Sequence, residues 1–74
     1  MKIPEHIDSS FWAKERSKEL PFVHDDPVSV STDAGEKTGS VVFIAKFHDG
    51  PVYFVEFADG TGIQVTASQL ALVQ

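Results

Sequence analysis

GSVVFIAKF (residues 39–47), HDGP (48–51), VYFVEF (52–57), ADGTG (58–62) and IQV (63–65) form the stretch that decides the fold. Two strongly apolar runs each end in an Asp-Gly pair. Glycine reaches positive φ without a Cβ penalty, so Asp-Gly between β-rich runs is a strong short-range hairpin signal. The spacing predicts strands over about 40–47, 52–58 and 62–66, with a helical turn at 67–70 and a last short strand at 71–73. Val41, Phe43, Ala45 and Phe47 alternate onto one side of their strand, with Val42 and Ile44 on the other. Tyr53, Val55 and Phe57 oppose Val52 and Phe54 in the next. Both strands are apolar on both faces, so one face fills an interior and the other needs a cover.

Upstream, Val28 and Val30 alternate with Ser29 and Ser31, a short first strand with one buried face. TDAGEKTG (32–39) reads as a polar loop, and PFVHDDP (21–27) as a connector. SSFWAKERSKEL (9–20) is rich in helix formers and stops at Pro21, which predicts a helix over roughly 9–19. Asp8 is placed to cap it, with Ile7 and Trp12 spaced as a hydrophobic staple. So short a helix is unstable alone in water and must dock. The expected division is an N-terminal extension, 1–26, and a β-domain, 27–74.

Seventy-four residues make one small core, without cysteine to staple it. Stability must then come from packing, or from self-association, which stays open. The absence of cysteine fits a reducing compartment. Eleven acidic against six basic residues give a net charge of −5, and the deficit is spread: −2 over residues 1–26 and −3 over 27–74. An acidic chain without a basic face repels phosphate backbones, which argues against nucleic acid as a partner. No apolar run approaches the roughly 20 residues of a membrane span, and MKIPEHIDSS lacks an apolar leader. The expectation is a cytoplasmic protein.

The order VSV (28–30), TGSVVFI (38–44), VYFVEFADG (52–60) and ASQLALV (67–73) resembles an SH3-like barrel over residues 27–74. It is similar to the small stand-alone SH3-like proteins of bacteria, among them the PsaE-type photosystem I subunit and the variable chain of ferredoxin–thioredoxin reductase. The resemblance implies a mainly β fold: a five-stranded SH3-like barrel with a short N-terminal α-helix. Such barrels host many functions. One related group, the type II dihydrofolate reductases, lines a symmetric tetrameric pore with a Val-Gln-Ile-Tyr stretch. Ile63, Gln64, Val65 and Thr66 fall at the matching place, with Thr66 where that group has Tyr. That second resemblance implies an NADPH-binding enzyme.

The residues themselves show no chemistry. His6, His24 and His48 are far apart and lack ligand spacing, so they read as turn residues and no metal is expected. Serines occupy capping and strand-surface positions. Glu56 reads as an outward residue pairing with Lys46 across the strands. Gly60 and Gly62 lack the strand-then-helix setting of a dinucleotide loop. The primary expectation is a non-enzymatic protein-interaction or accessory module, without a cofactor, whose partner is another protein. Its candidate contact residues are Phe11 and Trp12 on the helix, with Asp49, Gly50, Asp59 and Gly60 in the turns. The loop 32–38 is added because loops on a rigid scaffold carry recognition.

Overall fold

Five strands appear in the predicted order in a computed structural model that describes residues 3–73: β1 (Pro27–Thr32), β2 (Gly35–Phe47), β3 (Pro51–Phe57), β4 (Gly62–Thr66) and β5 (Leu70–Leu72). A 3₁₀ turn, Ala67–Gln69, links β4 to β5, and one helix, α1 (Glu5–Trp12), precedes the sheet. The fold is mainly β. All pairings are antiparallel and the strand order is β4-β3-β2-β1-β5. The expected barrel closure is not present among the described residues: β4 and β5 each pair on one side only, leaving the sheet open. Chain from before β1 covers the inner face instead.

That cover is real core. Ile7, Phe11, Leu20, Phe22 and Val23 join Val28, Val30, Val41, Ile44, Tyr53, Val55, Phe57 and Val65 in a single buried cluster. Burying each large apolar side chain contributes about 1.5–3 kcal/mol. For a chain of this length, those five N-terminal residues are a large share of the total.

Two sequence expectations are corrected by physical detail. The helix runs 5–12, not 9–19. Pro4, which cannot donate, precedes its first turn, and the Pro4 carbonyl accepts from the N–H groups of Ile7 and Asp8 at 3.1 and 3.0 Å. Asp8 and Ile7 are therefore inside the helix, and neither the cap nor the staple forms. Ile7 and Phe11, one turn apart, make its buried face. The helix ends because Lys14 takes φ +60°, and the N–H groups of Lys14 and Glu15 return to the carbonyls of Phe11 and Ser10 at 3.2 and 2.9 Å. This is a Schellman closure with lysine where glycine is usual. Beyond it, Leu20 is drawn into the core and Arg16 to Asp26, which overrides the helix propensity of KERSKEL.

The second correction concerns β2. It begins at Gly35, so most of the polar stretch 32–38 is strand; Thr32 and Gly35 pair around a two-residue turn, Asp33-Ala34. Its register against β3 shifts twice, between Val41 and Phe43 and again between Ile44 and Lys46. Each shift breaks the two-residue alternation. Val41 and Ile44 face the core, while Phe43 is 40% exposed. Lys46 pairs with Val52, and Glu56 lies opposite Ser40 and Gly62, so the expected Lys46–Glu56 pair does not form.

Candidate functional site

The β2–β3 turn is built on left-handed backbone. Asp49 has φ +55° and Gly50 φ +131°, and the N–H of His48 donates to the Gly50 carbonyl at 2.9 Å. A three-residue hairpin needs such a residue, and Gly50 sits where side-chained residues are strained. The predicted Asp49 and Gly50 thus form one wall of a groove of about 730 Å³. Pro21, on the connector, also lines it. Phe47, Pro51 and Ala67 make the remaining apolar surface, with Lys18, Glu19 and His48 charged or titratable at the rim. A smaller depression of about 230 Å³ lies on the same turn and reaches Thr66 and Ser68.

Trp12 and Phe11 separate. Phe11 is fully buried, its ring stacked with that of Tyr53 at a centroid distance of 6.3 Å. It belongs to the interior of the folded chain. Trp12 is 52% exposed, its ring 4.6 Å from that of His24, and its indole N–H donates to Asp8 Oδ1 at 3.2 Å. His24 Nδ1 is 3.4 Å from Asp25 Oδ2, and Lys14 Nζ is 3.9 Å from the same oxygen. Trp12 therefore tops a small polar cluster that the Schellman turn assembles.

Asp59 and Gly60 form the β3–β4 turn. Asp59 Oδ1 accepts from the Thr61 hydroxyl at 2.6 Å and the Thr61 N–H at 3.0 Å, and Lys37 Nζ is 3.8 Å from Oδ2. The Thr61 hydroxyl, then its N–H, with a smaller contribution from Lys37, hold the carboxyl below its usual range. These contacts are within the turn itself. In the stretch 63–66, Val65 is buried, Ile63 is half-buried, and Gln64 and Thr66 are exposed on β4.

The connector holds a feature the sequence did not announce. Asp26 is 5% exposed; Arg16 pairs with it in a two-pronged contact, and the Val23 N–H donates to Asp26 Oδ2 at 2.8 Å. Next to it, Tyr53 Oη donates to the Phe22 carbonyl at 2.8 Å and accepts from the Phe22 N–H at 3.0 Å. Burial pushes this hydroxyl up to about 12; the Phe22 hydrogen bond opposes the rise and the Asp26 charge adds to it. These polar groups fix Pro21 and the groove wall to the sheet. Sequence reasoning missed Lys18, Glu19, Pro21, Phe47 and Pro51 as one surface, because residues about 30 apart build it. The sole arginine, with an Asp-Asp pair ending ten residues on, was the available signal for the buried ion pair.

Among the described residues, no group of three His, Asp or Glu could hold a metal ion, and no helix is long and apolar enough to cross a membrane. Comparison of the chain with protein-family models, with curated proteins and with solved structures gave no match in any of the three. The SH3-like resemblance therefore rests on strand order and turn placement alone.

Proposed function

We propose that this chain is a non-enzymatic protein-interaction module of SH3-like architecture that holds an extended segment of a partner protein in the groove between Pro21 and the Asp49-Gly50 turn. Three features support the SH3-like reading: the strand order, the 3₁₀ turn between β4 and β5, and a 13-residue β2 whose two register shifts let it bend. The observation that carries the functional reading is the groove: an apolar floor with a charged rim, walled by a turn of fixed conformation. Concave, largely apolar sites with a few polar groups are where ligands settle. A peptide in extended form fits an open groove better than a compact small molecule does.

The test is to select peptides of about twelve residues from a random library on the folded protein and map the binders by amide shifts. Perturbation of Lys18–Leu20, Phe47–Gly50 and Ala67, lost in Phe47→Ser, is the expected result. Binders that map elsewhere, or a library that yields none, overturn it. The exposure of Gln64 on β4 favours one second reading, the reductase-like tetramer that binds NADPH near Ile63, Gln64, Val65 and Thr66. Saturable quenching of NADPH fluorescence by the wild-type chain, abolished in Gln64→Ala, supports that alternative.

A further inference from the structure

The outer face of the sheet, opposite the buried cluster, carries a partly exposed aromatic pair. Phe43 and Phe54 are register partners whose rings stack at 4.9 Å with an interplanar angle of 4°. Phe43 is 40% exposed and Phe54 half-buried, and a Cβ at Gly62 would run into the Phe54 ring, so this side of the sheet is shaped around it. Opposed residues of a ladder share a face. One row of this face therefore reads Gln64–Phe54–Phe43, the next, toward the Asp49-Gly50 turn, Thr66–Val52–Lys46, and the row on the far side Gly62–Glu56–Ser40.

Charge on this face is arranged about the rings. Lys46 lies one row beyond Phe43 on β2, and Glu56 one row beyond Phe54 on β3 in the opposite direction. Both are exposed, and neither has an ionic partner among the described residues. A two-fold axis through the ring pair, lying in the contact plane and perpendicular to the Lys46–Glu56 line, exchanges those two positions. A second copy docked about that axis sets each lysine against the other copy's glutamate. Self-complementarity of this kind is what an isologous interface requires. Exposed aromatics at the centre with charges at the rim match interface anatomy.

We infer that this face is the interface of a symmetric homodimer, centred on Phe43 and Phe54 and oriented by reciprocal Lys46–Glu56 pairs. It uses the face of the chain away from the groove residues' buried supports and does not depend on the peptide-binding reading.

The experiment is sedimentation equilibrium across a concentration series with the full chain, Lys46→Glu, Glu56→Lys, the double swap and Phe43→Ser. The wild type should pass from 8.1 kDa to twice that mass. Each single charge reversal should raise the dissociation constant at least tenfold. Glu56→Lys lowers the net repulsion between acidic chains and Lys46→Glu raises it, so loss in both marks the local pairs and not the overall charge. The double swap should restore the wild-type constant. Phe43→Ser should stay monomeric while melting cooperatively and retaining any groove binding. A wild type that is monomeric throughout, a dimer indifferent to Phe43→Ser or to the charge reversals, or a tetramer that binds NADPH overturns the inference.

Discussion

The hydroxyl of Tyr53 both donates to and accepts from the backbone of Phe22, joining the middle of β3 to the connector by two hydrogen bonds at 2.8 and 3.0 Å. No solvent reaches the ring, and no buried side-chain polar atom among the described residues is left unpartnered. Tyr53→Phe removes the oxygen and strands a buried N–H and a buried carbonyl together. A loss of about 1–3 kcal/mol follows, read as a lower denaturant midpoint with unchanged m-value. A change below 0.5 kcal/mol, roughly the size of a neutral surface substitution, would mean that water replaces the tyrosine.

The same hydroxyl predicts a pH dependence. Its folded pKa of about 12 lies above the ordinary 10.0 of an unfolded chain. Below pH 10 both states keep the proton and the full contribution is present. Above it, the unfolded chain releases the proton first, so stability falls as pH rises from 10 to 12. Denaturation curves at pH 9 and 11.5 should show this decline in the wild type. It should be smaller in Tyr53→Phe, whatever the lysines contribute in common.

Arg16 and Asp26 form a pair in which one partner is buried and the other half-exposed. Arg16→Ala leaves the carboxylate with the Val23 N–H as its remaining side-chain partner. Because the arginine is already half in water, the expected loss is about 1–3 kcal/mol, short of that for a fully buried pair. Thermal unfolding of Arg16→Ala beside Lys18→Ala, whose side chain is exposed, checks it. Equal melting temperatures would show that the pair contributes nothing.

Phe11 and Trp12 are adjacent and have opposite fates. Phe11→Ala should cost about 3–5 kcal/mol, since the ring is fully buried. Trp12→Ala should cost well under that, because half of its surface already faces water and its indole hydrogen bond is exposed. A larger loss for Trp12 than for Phe11 would invert the helix register. Gly50→Ala, at φ +131°, should cost roughly 1–3 kcal/mol through backbone strain, and it should broaden amide signals of the groove wall first.

The strands were legible because the decisive information is local. Two Asp-Gly turns and alternating apolar residues fix β3 and β4 almost to the residue. The helix was displaced because its end is set by Lys14 in a left-handed conformation that a lysine codon does not advertise. Leu20 and Arg16 are then pulled away by partners in the core and at Asp26. Strict alternation puts Val41 and Phe43 on one side of the strand, but a bulge leaves no mark on the hydrophobic pattern, and one extra residue is enough to turn the Phe43 ring to the other side. Of the candidate contacts, the turns could be read from Asp-Gly. The groove that the Asp49-Gly50 turn borders could not, because Pro21 joins Phe47 and Pro51 on one surface only once the connector has docked.

The span between Phe22 and Tyr53, 31 residues, has a meaning for a chain made from its N-terminus. During synthesis Ile7, Phe11, Leu20 and Val23 emerge before any strand that can receive them. At about 5–20 residues per second the tyrosine follows Phe22 by roughly 2–6 s, and the apolar lead segment waits that long without its pocket. A helix of eight residues does not hold its shape through such an interval. Its folded form depends on the sheet it packs against. The nascent chain therefore passes through a window in which its greasiest early segment is open to chaperones, and substitutions that slow the hairpins lengthen that window before they change the finished fold.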